Sequence, residues 1–260
     1  MRCIFCENDS STSRSVEHII PQSLGNDDHV LSRGVVCDGC NNYFARKIEE
    51  PLLSSVHFRN LRSRQGLESK RGIIPPEYGI FPQARIPIGI RPSTTEGPSV
   101  FAWHEKDEKI FAETLQRLDR GTFYMPHSMP IENRILERFI AKIGFEVYVG
   151  RALGAGQKQK QIIETLELRA IRRFIRHGDK PINWPISRRR IYEEDKRFDD
   201  GGNNYQVVHE FSLLVTEENE IYAVIAIFGE EFSINLGGPT MEGYERWLAK
   251  NGNKSPLYLD

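Results

Sequence analysis

"MRCIFCENDSSTSRSVEHIIPQSLGNDDHVLSRGVVCDGCNN", residues 1–42, holds all four cysteines of a 260-residue chain. They stand as two Cys-x-x-C pairs, Cys3 with Cys6 and Cys37 with Cys40, and Glu17-His18 lies between them. The stretch is polar and short of large apolar side chains, so apolar burial alone would not fold it, and a structural metal is the expected staple. Two paired sets of thiols make the donor set of a tetrahedral Zn²⁺ site, with the 30 residues between Cys6 and Cys37 closing a loop around the ion. Four thiolates leave no open coordination position, so the expected role is structural. The competing use of Cys-x-x-C is redox chemistry. That needs a thioredoxin-like strand ahead of the motif, and Cys3 stands too near the start of the sequence for one.

Outward from the cysteines, Glu17-His18-Ile19-Ile20-Pro21 reads as a short strand running into a turn at "SLGNDD". Neighbours on a strand point to opposite faces, so Glu17 and His18 serve one substrate only if the chain bends or each uses a different edge of the site. From Asp38, "DGCNNYFARKIEEPLLSS" has helical periodicity, with Phe44, Ile48 and Leu52 on one face, and Pro51 is expected to end or kink that helix.

The ordered set of Cys3 with Cys6, "EHIIPQSLGN" and "CDGCNN" resembles the zinc-stapled branch of the HNH nuclease family, over about residues 1–53. The resemblance implies a ββα-metal fold, a hairpin bearing the histidine followed by a helix that starts near the second cysteine pair. It implies that His18 is the general base, and that Glu17 and Asn41 hold a catalytic Mg²⁺ or Mn²⁺. Such a set suits phosphodiester hydrolysis, which needs a cation to offset charge on the phosphate and a base that titrates near neutrality. The family's middle asparagine, which braces the loop carrying the base, would fall near Ser32, where "VLSRGVV" has no Asn; Asn26 or His29 of the turn are the stand-ins.

Beyond this segment the chain is ordinary in composition, 39% hydrophobic and 27% charged, enough for a sizeable core. No apolar run approaches the ~20 residues of a membrane span, and the Met1-Arg2-Cys3 start has no apolar leader, so a cytoplasmic setting is expected. "ARIPIGIRP" and "PSVFAW" read as strands, and residues 131–150 as a helix with Ile135, Phe139, Ile143 and Val147 inward. A second long helix is expected over Lys158–His177, its apolar face set by Ile163, Leu166, Ala170 and Phe174. Residues 205–236 alternate as three strands, the first two joined by "TEENE".

The formal charge of −1 excludes a generally basic protein, but basic residues cluster. Arg59, Arg62 and Arg64 follow the cysteine segment, with Lys70 and Arg71 beyond. Arg169, Arg172, Arg173 and Arg176 share one helix face, and Lys180 and Arg188-Arg189-Arg190 follow. Both sets are candidates for phosphate contact with nucleic acid, double-stranded DNA by preference.

The expected architecture is α+β, a small zinc-bound ββα-metal module over residues 1–54 and a larger mixed domain over 55–260. The first function class is a metal-dependent endonuclease, and the second a non-catalytic zinc-knuckle module that binds nucleic acid.

Overall fold

The computed structural model describes residues 1–69, 71–93, 97–127, 129–178 and 183–258. In chain order the elements are β1 (Glu17–His18), β2 (Val30–Leu31), α1 (Asp38–Phe44), α2 (Glu50–Leu53), α3 (Val56–Arg64), β3 (Glu77–Phe81), β4 (Ile86–Arg91), β5 (Ser99–Ala102) and α4 (Glu108–Gln116). Then follow α5 (Asn133–Gly154), α6 (Gln159–Glu164), α7 (Arg169–His177), β6 (Ile186–Arg190), β7 (Phe198–Asp200), β8 (Asn203–Tyr205), β9 (His209–Val215), β10 (Ile221–Ile227), β11 (Glu230–Asn235) and α8 (Glu242–Lys250). The class is α+β, as expected.

The chain forms two compact units. One comprises Met1–Pro21, Asn26–Glu50 and Glu132–Asp260; the other comprises Gln22–Gly25 and Pro51–Ile131. Residues 1–54, grouped as one module from the sequence, thus contribute to both.

In the first unit, β1 and β2 pair antiparallel, Glu17 opposite Leu31 and His18 opposite Val30. A four-stranded antiparallel sheet runs in the order β6-β11-β10-β9, and the residues of "TEENE" join β9 to β10 as the sequence suggests. β10 (IYAVIAI) is apolar on both faces, β11 buries Phe232 and Ile234 beside polar Glu231, Ser233 and Asn235, and α5 packs on both strands. Gly144 makes that contact close: a Cβ there would lie 2.7 Å from the Ala223 Cβ and 3.2 Å from Ile234 Cγ2. On the cysteine side, the Phe5 ring sits edge-on to Phe44 at 4.6 Å and to Phe145 of α5 at 5.4 Å. The N-terminal segment is therefore built onto α5 by apolar contact.

In the second unit, β3-β4-β5 form a meander over Phe81, Ile86, Ile88, Ala102 and Phe111. Asn60 of α3 is buried and docks on β3, donating to the Tyr78 carbonyl (2.9 Å) and accepting the Tyr78 N–H (2.7 Å).

Two local expectations are corrected. Of the end or kink expected at Pro51, the end is not found there: the backbone stays helical from Asp38 through Leu53, passing through a π-helical turn over Ala45–Glu49. Pro has no N–H to donate and crowds the preceding turn, and the wider π turn just before it relieves both demands. The single helix over Lys158–His177 is instead α6 and α7. Thr165 turns extended (ψ 113°) while its hydroxyl donates back to the Gln161 carbonyl. The break shifts the helical phase, so Leu166 is 76% exposed and Leu168 is buried in its place.

Filling the α5–sheet contact should be unfavourable. Gly144→Val is expected to lower stability by about 1–3 kcal/mol, as overpacking of a core does, read from the midpoint of urea unfolding. An unchanged midpoint would mean that the helix is not seated on the sheet this closely.

Candidate metal and catalytic site

The four cysteine sulfurs lie within 4.8 Å of one another and form, among the described residues, the one cluster of His, Cys, Asp or Glu suited to a metal ion. Cys6 Sγ and Cys37 Sγ are 3.6 Å apart. Four sulfurs at about 2.3 Å from one Zn²⁺ would be spaced at about 3.8 Å, so the set fits zinc. The polypeptide is arranged to hold thiolate charge. The N–H groups of Phe5 (3.5 Å) and Cys37 (3.4 Å) point at Cys3 Sγ, and that of Cys40 at Cys37 Sγ (3.4 Å). A hydrogen bond from the Cys40 thiol, aided by backbone N–H groups, pulls the Cys3 pKa down to about 5, whereas burial pushes Cys6 up to about 11. The Cys40 thiol is pushed up, chiefly by donating to Cys3. A metal must then displace protons from Cys6 and Cys40, which makes its uptake favour higher pH.

Between the pairs, Asp38 at the start of α1 accepts from the N–H groups of Arg14 (3.0 Å) and Ser15 (2.9 Å) and from the Ser15 hydroxyl (2.5 Å). These bonds hold its carboxyl below the usual range and clamp the approach to β1 onto the helix. One residue pair further on, Asn41 Nδ2 donates to the Val16 carbonyl at 3.2 Å. Asn41 is thereby joined to the residue preceding Glu17. The turn carries its own brace. Buried Asn26 donates to the carbonyls of Ile20 (2.5 Å) and His29 (3.1 Å) and accepts the His29 N–H (2.9 Å). His29 itself packs its ring edge-on to Phe211 at 4.8 Å.

Glu17 is buried, and its Oε1 lies 2.7 Å from the ammonium of Lys142 on α5. That ammonium is fully enclosed. It also reaches Glu146 (3.0 Å), Glu49 (3.2 Å) and the His18 carbonyl (3.3 Å). Burial raises the pKa of Glu17 and, much more, of Glu146, while the surrounding carboxylates outweigh burial and raise Lys142. Glu17 Oε2 has no hydrogen-bond partner among the described residues. Sequence reasoning missed Lys142, Glu146, Glu49 and Asp38. A signal existed for two of them: Lys142 and Glu146 are an i,i+4 charge pair inside "RFIAKIGFEVYVG", a run otherwise almost wholly apolar after its first residue.

The arginine candidates fall into separate places. In the second unit, Arg62 is buried and donates to the Ser23 carbonyl (2.9 Å), Arg64 pairs with Glu77 (2.9 Å), and Arg59 lies over the Trp103 ring at 4.9 Å. In the first unit, Arg169, Arg173 and Arg176 of α7 are accessible, but Arg172 is buried and paired to Glu7 at 3.2 Å. Arg188 and Arg189 of β6 face Glu230 and Glu231 of β11 (2.6 and 2.5 Å), so they balance charge across the sheet. Lys70 and Lys180 lie outside the described residues.

Residues 3–57 match the family model of the HNH endonucleases. No curated protein and no solved structure matches the chain. No described helix is long and apolar enough to cross a membrane.

Two outcomes are expected. Elemental analysis should find one zinc per chain, and chelation should raise amide exchange over residues 1–50; folded protein free of zinc would refute the assignment. Lys142→Met should lower stability by about 3–5 kcal/mol, because it strands buried carboxylates, as measured by denaturant unfolding.

Proposed function

We propose that the chain is a metal-dependent HNH-type endonuclease that hydrolyses phosphodiester bonds of DNA, with His18 as general base and Glu17 and Asn41 as ligands of a catalytic divalent cation. The observation that carries this reading is the bond from Asn41 to the Val16 carbonyl, which joins the helix start to the strand bearing Glu17 and His18. The match of residues 3–57 to the HNH endonuclease model supports it.

The donor chemistry suits such a cation. Glu17 Oε2 is unpartnered among the described residues, and Asn41 engages through Nδ2, leaving its oxygen as a second hard donor. Mg²⁺ takes one or two protein oxygens of this kind and retains several waters. When bound, the cation supplies charge stabilisation at the scissile phosphate. His18 takes a proton from the attacking water. The water oxygen bonds to phosphorus, the P–O3′ bond breaks, and the products are a 3′-hydroxyl, protonated from solvent, and a 5′-phosphate. Asn26 holds the backbone that follows His18 by binding both Ile20 and His29, and Lys142 holds the His18 carbonyl. A cytoplasmic setting accords with thiols kept reduced for metal.

The second reading is a zinc-knuckle module that binds nucleic acid without cutting it. The ion pair of Glu17 with Lys142 favours that reading, because it gives the acid a purely structural use.

Incubation with supercoiled plasmid and Mg²⁺ or Mn²⁺ separates them. His18→Ala should lower cleavage by ~10²–10⁴-fold, as loss of a positioned base does, with zinc content unchanged. Glu17→Gln and Asn41→Ala should instead shift the cation dependence, and excess Mn²⁺ should partly restore them but not His18→Ala. Cleavage by His18→Ala at the wild-type rate would remove the base assignment, and a wild-type protein that binds plasmid but never cuts it would leave the binding module.

A further inference from the structure

One cleft of the first unit has no part in that chemistry. It measures about 420 Å³ and lies between the first cysteine knuckle, Phe5 to Asn8, and α7, which lines it with Arg169, Arg172, Arg173, Arg176 and His177. A volume of this size is that of a small-molecule site. Four guanidinium groups face a single carboxylate, Glu7, and that carboxylate is already shared between Arg172 (3.2 Å) and Arg2 (2.8 Å). The wall is thus strongly cationic among the described residues.

It is also fixed in place. Arg172 is 4% exposed, with one terminal nitrogen on Glu7 and the other donating to the Ile163 carbonyl at 2.8 Å. Arg176 lies 4.0 Å over the Tyr43 ring, whose hydroxyl accepts from Arg138 at 2.8 Å. The Nε groups of Arg172 and Arg176 have no acceptor among the described residues. Glu7 holds a left-handed backbone conformation, φ 62°, which a side-chain-bearing residue adopts at some cost in energy. The chain keeps a carboxylate at this knuckle position and uses it to set Arg172.

We propose that this cleft binds the phosphate group of a nucleotide. Arginine forks match phosphate oxygens two at a time, and a site whose guanidinium groups are already oriented loses little freedom on binding. Arg169 and Arg173, exposed one helical turn apart at the mouth, are the groups that meet the anion first. The ligand comes either from a strand bearing a 5′-phosphate or from a free mononucleotide. Naming nucleic acid as a source rests on the nuclease reading. The phosphate site itself does not, and binding measured without divalent cation is independent of cleavage.

The probes are thymidine 5′-monophosphate, by calorimetry, and a deoxyoligonucleotide with a 5′-phosphate or a 5′-hydroxyl, by fluorescence anisotropy. Arg169→Ala/Arg173→Ala should weaken the phosphate-bearing ligand by about tenfold or more, as loss of charge-assisted hydrogen bonds does. Lys109→Ala, which removes a cation from the exposed side of α4, should leave affinity unchanged. Binding of the mononucleotide alone identifies a free-nucleotide site, and a preference for the 5′-phosphorylated strand identifies a strand-end site. Equal affinity for the phosphorylated and hydroxyl strands with no mononucleotide binding overturns the proposal. So does a double variant that binds phosphate normally and zinc more weakly, since α7 would then serve only to offset the anionic zinc–thiolate centre.

Discussion

The ammonium of Lys142 is the point on which the candidate site depends. It reaches Glu17 on β1, Glu49 on the π-helical turn after α1, Glu146 one turn along α5, and the carbonyl of His18. A cation removed from water is tolerated only with such company. A strand two residues long has almost no ladder of its own, so β1 owes its position to what holds it from the side: Lys142, the Asp38 clamp, and the bond from Asn41. A metal at the four sulfurs would tie the cysteines to one another, but the lysine attaches the strand to the body of the unit.

Much of this was legible in the sequence. The paired cysteines announced their common site because no other donor type at that spacing makes sense in a chain with no further thiol. The strand at Glu17-His18 and the helix from Asp38 followed from a turn cluster and from the spacing of Phe44, Ile48 and Leu52, all three of which are buried, whereas the pairing of β1 with β2 was implied only by the family resemblance. What could not be read were contacts between residues far apart in the chain. Lys142 stands 125 positions after Glu17, and nothing local to either says that they meet. The α6–α7 break was hidden for a different reason: periodicity runs unbroken through Thr165, where the backbone turns extended and the hydroxyl bonds back to the Gln161 carbonyl.

The charge clusters divide in a consistent way. Arg62, Arg64, Arg172, Arg188 and Arg189 look like one kind of residue in the sequence, yet each is engaged by a carbonyl or carboxylate of its own unit. Guanidinium groups serve as structural cross-links as readily as they serve as ligand contacts, and a count of positive residues does not separate the two uses. Placement differs even within one helix: α7 holds Arg172 inside and Arg169 and Arg173 outside on the same nine residues.

The placing of every cysteine in one cluster also means that the protein has no silent thiol. Any alkylation or oxidation of a thiol in this chain is an event at that cluster, with no background from other cysteines. A cobalt ion in place of zinc, or a thiol reagent added as metal is withdrawn, would report the state of the hairpin region directly. The site comes with its own gauge, and its assembly can be followed in the intact protein without introducing a label.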